Sequence, residues 1–273
     1  MNRATPPMIN ENTRNGGLTM RISGLKLAAV LLLAAGPVFA AEKPEPPKKQ
    51  KWSFEEPLGT FDRAALQRGF QVYKEVCSSC HSLKFVTFGM LAEKGGPGFS
   101  EPEAKALAAG YKKEIPDETG QPKEVPRTLA DTFPAPYPNE EAARASNGGA
   151  LPPDLSLMPK ARKEGPDYIF SLVSGFEDAP AGVTMRAGMH YNPYFPGHQI
   201  AMSPPLSQDR VTYADGTPAT VPQMAHDVVT FLSWAAEPKM EERKHIGLNV
   251  MIYLVLLSIL LYWTKRRVWR DVH

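Results

Sequence analysis

Apolar residues recur at spacings of three and four in several stretches of the chain, the pattern of helices that turn one face to a core. From Thr60 onward the positions Leu66, Phe70, Tyr73 and then Val76 or Cys77 form such a face, with Thr60 or Asp62 available as its N-cap. A second helix is predicted from Pro166 to Ser174, where Tyr168, Ile169, Leu172 and Val173 are apolar and Gly175 supplies the stop. A third begins at Thr220, which has capping-box spacing to Gln223 and tolerates Pro222 in its first turn; Val228, Phe231, Leu232 and Ala235 line its inner face. Pro238 then interrupts the pattern, so a kink or break is expected before the helix resumes from Lys239 to Tyr262.

Two apolar runs differ from these because they have no polar face. Ile246 to Trp263 holds 18 residues without a charge, enough at about 1.5 Å per residue to cover most of a ~30 Å hydrocarbon core. It ends in Tyr262-Trp263 and then Lys265-Arg266-Arg267, an interfacial aromatic anchor beside a basic cluster, which predicts one transmembrane helix (246–263) with a cytoplasmic tail (264–273). Near the start come a short basic region (Arg21, Lys26), an apolar run from Leu25 through Gly36 and a small-residue exit at Val38-Phe39-Ala40. That order reads as a secretory signal peptide over 1–40, cleaved after Ala40, with Met20 an alternative initiator to Met1. The remaining 41–245 is then an exported domain, facing the periplasm if the membrane is the inner membrane of a bacterium.

The regions between helices are expected to be irregular. Residues 42 to 50 are rich in proline and charge and read as a linker. Gly95 to Ala150 reads as a long surface loop, broken by a helix around Glu103 to Ala109 and by the run from Phe133 to Pro138. Gly182 to Leu206, with its prolines, glycines and aromatics, has no regular pattern, and no β-type alternation of useful length occurs anywhere. The fold class is therefore mainly α, with long loops. Charge adds one point. The whole chain is near neutral at +2, but 41–245 holds 23 basic and 27 acidic residues, and Glu101, Glu103, Glu114, Asp117, Glu118 and Glu124 cluster in sequence. Such a cluster is either a solvated surface or a face that speeds encounter with a basic partner.

The chemistry lies in the only two cysteines, in Cys77-Ser78-Ser79-Cys80-His81. Two thiols three residues apart on one helical turn can each form a thioether to a haem vinyl group, and the adjoining imidazole is then placed to ligate iron. A redox dithiol needs no histidine next to it, a zinc site needs four ligands where no second cysteine pair exists, and a disulfide across so small a loop constrains little. Attachment of one covalent haem c is the reading that uses all three residues. The second axial position separates a carrier from a catalyst, since an open iron invites peroxide or gas chemistry. Met158, Met185, Met189, His190, His198, Met202, Met224 and His226 could all reach it. Met202 is favoured because Ala201-Met202-Ser203-Pro204-Pro205-Leu206 is stiffened by prolines, with His198 its rival; Met224 and His226 fall in a capped helix where core packing is the ordinary role.

With these residues in hand, the chain resembles the cytochrome c1 family, the haem c subunits of ubiquinol:cytochrome c oxidoreductase (complex III). The resemblance rests on Arg68-Gly-Phe-Gln-Val-Tyr-Lys74 leading to the haem motif, Asn147-Gly-Gly-Ala-Leu-Pro-Pro-Asp-Leu-Ser156, Asp167-Tyr-Ile-Phe-Ser-Leu172, Tyr191-Asn-Pro-Tyr-Phe-Pro-Gly197, Ile200-Ala-Met-Ser-Pro-Pro-Leu206, Asp215-Gly-Thr-Pro-Ala-Thr220 and Trp234-Ala-Ala-Glu-Pro238. It implies a class I cytochrome c core, Cys77 and Cys80 as attachment points, and His81 and Met202 as axial ligands. It also implies that Pro153 packs beside the haem and that Arg162 and Tyr168 approach its propionates. The partners implied are a cytochrome b subunit, the Rieske iron–sulfur protein, a cytochrome c acceptor met through the acidic surface, and membrane lipid; no nucleic acid is expected among them. No cysteine remains for the extra disulfide of some bacterial members, so loop rigidity must come from the prolines. The competing expectations are a membrane-anchored haem peroxidase or gas sensor with an open iron site, and an assembly factor without haem.

Overall fold

The computed structural model describes residues 43–272, and the expected leader over 1–40 lies outside the described residues. Helix α1 spans Arg63–Glu75, started by Asp62, whose carboxylate accepts the N–H groups of Ala64 (2.9 Å) and Ala65 (3.2 Å). It buries Leu66, Phe70, Val72 and Tyr73, the face that its spacing predicts. The chain then passes through α2 (Glu101–Ala109), the strands β1 (Lys112–Pro116) and β2 (Pro122–Pro126), and the short helices α3 (Glu140–Ser146) and α4 (Met158–Ala161). Helix α5 (Gly165–Ser174), the two-residue strands β3 (His190–Tyr191) and β4 (Gln199–Ile200), α6 (Val221–Ala236) and α7 (Met240–Val268) complete it.

Helices α1 and α6 form the centre of the core. Gly69 stands where they cross: a Cβ there would lie 2.0 Å from the Asp227 carbonyl oxygen, so only glycine permits this approach. The rings of Phe70 and Tyr73 pack on Phe231 at 5.7 and 5.8 Å, continuing the contact toward the end of α1. Beside them Arg68 donates from Nε and Nη2 to the two oxygens of Asp227 (2.9 and 3.0 Å) and from Nη1 to Asp215 (2.8 Å). The capping box expected at Thr220 is half made. Thr220 accepts the Gln223 N–H at 3.3 Å, but the Gln223 side chain turns to Asp227 instead, at 3.1 and 3.0 Å from its oxygens. A buried anion draws that amide more strongly than the neutral cap backbone does.

Three stretches depart from the expected irregularity. The linker expected over 42–50 is, from Lys43 onward, an ordered strap. Glu45 N donates to Pro193 O (2.8 Å), Lys48 N to Ser171 Oγ (2.8 Å) and Gln50 N to Asp167 Oδ1 (3.0 Å), while the buried Trp52 indole donates to the same Oδ1 (2.8 Å). The expected long loop holds an antiparallel hairpin, β1 with β2, in which Glu114 faces Glu124. Its strands are exposed on nearly every residue, so the alternation that advertises a strand is missing from the sequence. Its turn is made by Asp117, which accepts Thr119 N (2.7 Å) and Gln121 N (2.9 Å), with Gly120 at φ 80°. The same region contains α3, capped by Asn139 on Ala142 N at 2.8 Å. Of the six clustered acids, Glu103 closes the capping box of α2 with Ser100, Asp117 holds the turn and Glu124 pairs with Lys112 at 2.8 Å.

The break at Pro238 is real: α6 ends at Ala236 and α7 begins at Met240. Helix α7 has 29 residues, and the apolar window within it has mean hydropathy 2.1 and no residue buried against the rest of the chain, as a membrane-spanning helix requires. Its first turns are bolted to the domain. Arg63 bridges the Gly95 carbonyl and Glu241 (2.6 Å), Glu241 accepts Phe61 N at 2.9 Å, and the Lys244 ammonium donates to the carbonyls of Phe54 (2.6 Å), Glu56 (2.7 Å) and Gly59 (3.1 Å). Charge-assisted bonds of this kind contribute roughly 1.5–3 kcal/mol each when the acceptor is otherwise left dry. Lys244→Met keeps the stem and removes all three donors; a loss of about 2–3 kcal/mol is expected in thermal unfolding of the detergent-solubilised chain. An unchanged transition would mean that water replaces the ammonium without penalty.

Candidate functional site

The end of α1 delivers the Cys77–His81 motif. Val76 leaves helical geometry, and a single 3-10 turn, Cys77–Ser79, follows, closed by Cys80 N and His81 N on the Cys77 carbonyl (3.1 and 2.9 Å). Ser78 Oγ donates to Lys74 O (2.7 Å) and Ser79 Oγ to Val76 O (2.8 Å), so the turn is tied back to the end of α1. Both thiols are unbridged, which sets aside the disulfide. Burial, and then the neighbouring Cys80, push the Cys77 thiol up to about 12.

The His81 ring is oriented from the other side of the site. Its Nδ1 lies 2.8 Å from the Pro153 carbonyl oxygen. A carbonyl can only accept, so Nδ1 carries the proton and Nε2 presents the lone pair that a metal needs. Burial lowers the ring pKa, against the opposing pull of the Pro153 carbonyl and the Asp154 charge, which favours the neutral form able to ligate. Pro153 thus offers its carbonyl to the imidazole.

The other predicted residues fall in two places. Arg162 follows α4, is exposed and donates to the Ala161 carbonyl at 3.2 Å; its charge acts on the hydroxyl of Tyr168, which is half-buried in α5 against the core. Met202 is half-buried in a bend between β4 and the buried Leu206. The segment before it is pinned: Asn192 N donates to His198 O (3.0 Å), the fully buried Asn192 amide donates to Leu172 O (2.8 Å), and His190 pairs with Ile200. His198, the rival ligand, sits inside that turn at φ 59°, buried and edge-on to Tyr191 at 5.7 Å. Met224 is fully buried in the α6 core, and His226 stacks on Trp52 at 4.7 Å, the packing roles expected of both.

Sequence reasoning did not find two neighbours of the motif. Tyr137 points its hydroxyl at the Cys80 sulfur (3.8 Å) and itself accepts from Asn147 Nδ2 (3.1 Å). Asp154 binds residues just beyond His81, as described below. Tyr137 lies in the proline-rich run read as loop, and no periodicity marks it. Among the described residues no group of three His, Cys, Asp or Glu side chains gathers as a metal cluster. Two adjacent thiols plus one tautomerically fixed imidazole fit a haem.

Fold and site together define a mainly α, class I cytochrome c-like haem domain with long loops, followed by one C-terminal apolar helix long enough to cross a membrane. The sequence matches the Cytochrome C1 family over residues 52–272, and the chain belongs to that family, whose members are haem subunits of respiratory complex III. It is 49% identical over 273 aligned residues to the cytochrome b/c1 of Bradyrhizobium diazoefficiens, an alignment covering 90% of this chain and 40% of that longer protein. It is 51% identical to the mitochondrial cytochrome c1 haem protein of Kluyveromyces lactis, covering 81% of this chain and 75% of the other. The mitochondrial cytochrome b-c1 complex catalytic subunit of Candida albicans is 46% identical, covering 92% of this chain and 88% of the other.

Proposed function

We propose that this chain carries one haem c, covalently attached through Cys77 and Cys80, with His81 and Met202 as axial ligands, and relays single electrons from the Rieske iron–sulfur protein to a cytochrome c. The observation that carries this reading is the His81–Pro153 hydrogen bond, which keeps the proton on Nδ1 and leaves the Nε2 lone pair for a metal, in the residue that directly follows the second thiol. When bound, the haem supplies an iron that cycles between two oxidation states. The chain's own residues then do the rest. His81 and Met202 would both ligate the iron, which would leave no position open to small ligands and, with a thioether among the ligands, would raise the potential. Pro153 holds the imidazole, and Arg162 and Tyr168 are the proposed partners of the propionates. The cytochrome b subunit is the proposed neighbour of α7, on the strength of the relatives' names. Lys265, Arg266 and Arg267 at its end favour a cytoplasmic C-terminus, with 41–245 in the periplasm behind a cleaved leader over 1–40.

Membranes from a cell that makes c-type cytochromes provide the test. The purified chain is expected to give a haem c pyridine haemochrome at one haem per chain and a mass increased by one haem that survives denaturation. Cys77→Ser and Cys80→Ser should each leave haem held by a single thioether or none. A wild-type chain with the mass of bare polypeptide would end the proposal.

A further inference from the structure

Asp154 follows the carbonyl that holds His81, and both of its oxygens are engaged. Oδ2 accepts from Ser82 Oγ at 2.7 Å and from Lys84 N at 2.9 Å, and Oδ1 accepts from Ser156 N at 2.9 Å. Next to these, Leu155 N donates to Ser82 O (2.9 Å) and Phe85 N to Ser156 Oγ (3.1 Å). Residues 154–156 are in this way laced to 82–85, immediately beside the single bond that orients the imidazole. The carboxylate is also close enough for its field to act on the His81 ring.

We propose that Asp154 is a positioning residue for His81: it holds the Pro153 carbonyl against the Nδ1 proton and, as a fixed anion on the proximal side, lowers the reduction potential of the iron. The inference rests on His81 being an axial ligand, as proposed above. Two effects act in one direction. A firmly accepted Nδ1 proton gives the ring more imidazolate character, so it donates more electron density to the metal. A nearby negative charge favours the more positive oxidation state. A brace built of neutral groups would supply the first effect but not the second, since only the carboxylate adds a charge.

The experiment uses the full chain purified with its haem. Haem content by pyridine haemochrome is measured first, because a wild-type chain without haem defeats the functional reading and is recognised as such. Asp154→Asn keeps the shape but gives up the charge and one acceptor oxygen; Ser82→Ala removes one hydrogen bond and keeps the charge. Asp154→Asn is expected to shift the equilibrium toward the reduced form by up to about tenfold, which for one electron is about 59 mV upward. It should also move the electron paramagnetic resonance g-values of the oxidised iron, which report the character of the axial imidazole. Ser82→Ala should move both observables the same way by a smaller amount. If Asp154→Asn fails to accumulate, Ser82→Ala decides alone. Haem-loaded variants with wild-type potential and wild-type g-values would overturn the assignment.

Discussion

Asp227→Ala is expected to destabilise the domain by roughly 3–5 kcal/mol, the usual penalty for removing one member of a buried ion pair. The Asp227 side chain is wholly buried and Arg68 is 15% exposed, so without Asp227 the guanidinium keeps only Asp215, itself 44% exposed. The loss reaches beyond the ion pair. The Gln223 amide loses both of its acceptor oxygens, and the α1–α6 crossing at Gly69 loses the clamp beside it. Against a total stability of about 5–15 kcal/mol for a typical domain, such a loss approaches unfolding. Thermal or urea denaturation of the haem-loaded chain measures it, with Asp215→Ala as the mild control, because an exposed partner contributes little. A loss under about 1 kcal/mol would mean that the pair's desolvation cancels its attraction.

Met202→Leu should change the chemistry with little effect on the fold. Leucine is close in volume, so the structural loss is expected to stay under about 1.5 kcal/mol. On the proposed ligation the sulfur disappears from the iron, and the potential should fall by an amount on the order of 0.1 V or more, within the ~0.8 V that axial ligands command. The reduced variant should bind carbon monoxide rapidly, where the parent does not, and lose the sulfur–iron charge-transfer absorption of its oxidised form. Met224→Leu, in the α6 core, should move none of these. Rapid carbon monoxide binding by the parent chain would make the site open, as a peroxidase or sensor requires, and remove Met202 from the ligand set.

What could be read in advance follows a pattern. Helices α1, α5 and α6 were legible because each turns a buried face inward at helical spacing, and Asp62, Thr220 and Gly175 mark their ends. The hairpin was not, because its strands lie exposed on both sides and leave no alternation. Neither was the strap of 43–52. Its prolines and charges suggest a free linker, yet its order comes from Asp167 and Ser171, more than a hundred residues later. The capping box at Gln223 was misread for a different reason: Asp227, buried one turn further along the same helix, outbid the N-cap for the Gln223 amide.

Sequence alone determined helices α1, α5 and α6, the break at Pro238, the apolar span of α7 and the Cys77-Ser78-Ser79-Cys80-His81 unit, each of which is written in one continuous stretch of the chain. Tertiary structure alone decided that the Pro153 carbonyl holds His81, that Asp154 braces that contact, that Tyr137 meets Cys80 and that Lys244 bolts the anchor to the domain. These bonds join residues 57 to 190 positions apart. A hydrogen bond across such a separation imposes no periodicity on either partner's neighbours, and only closure of the chain brings its two ends together.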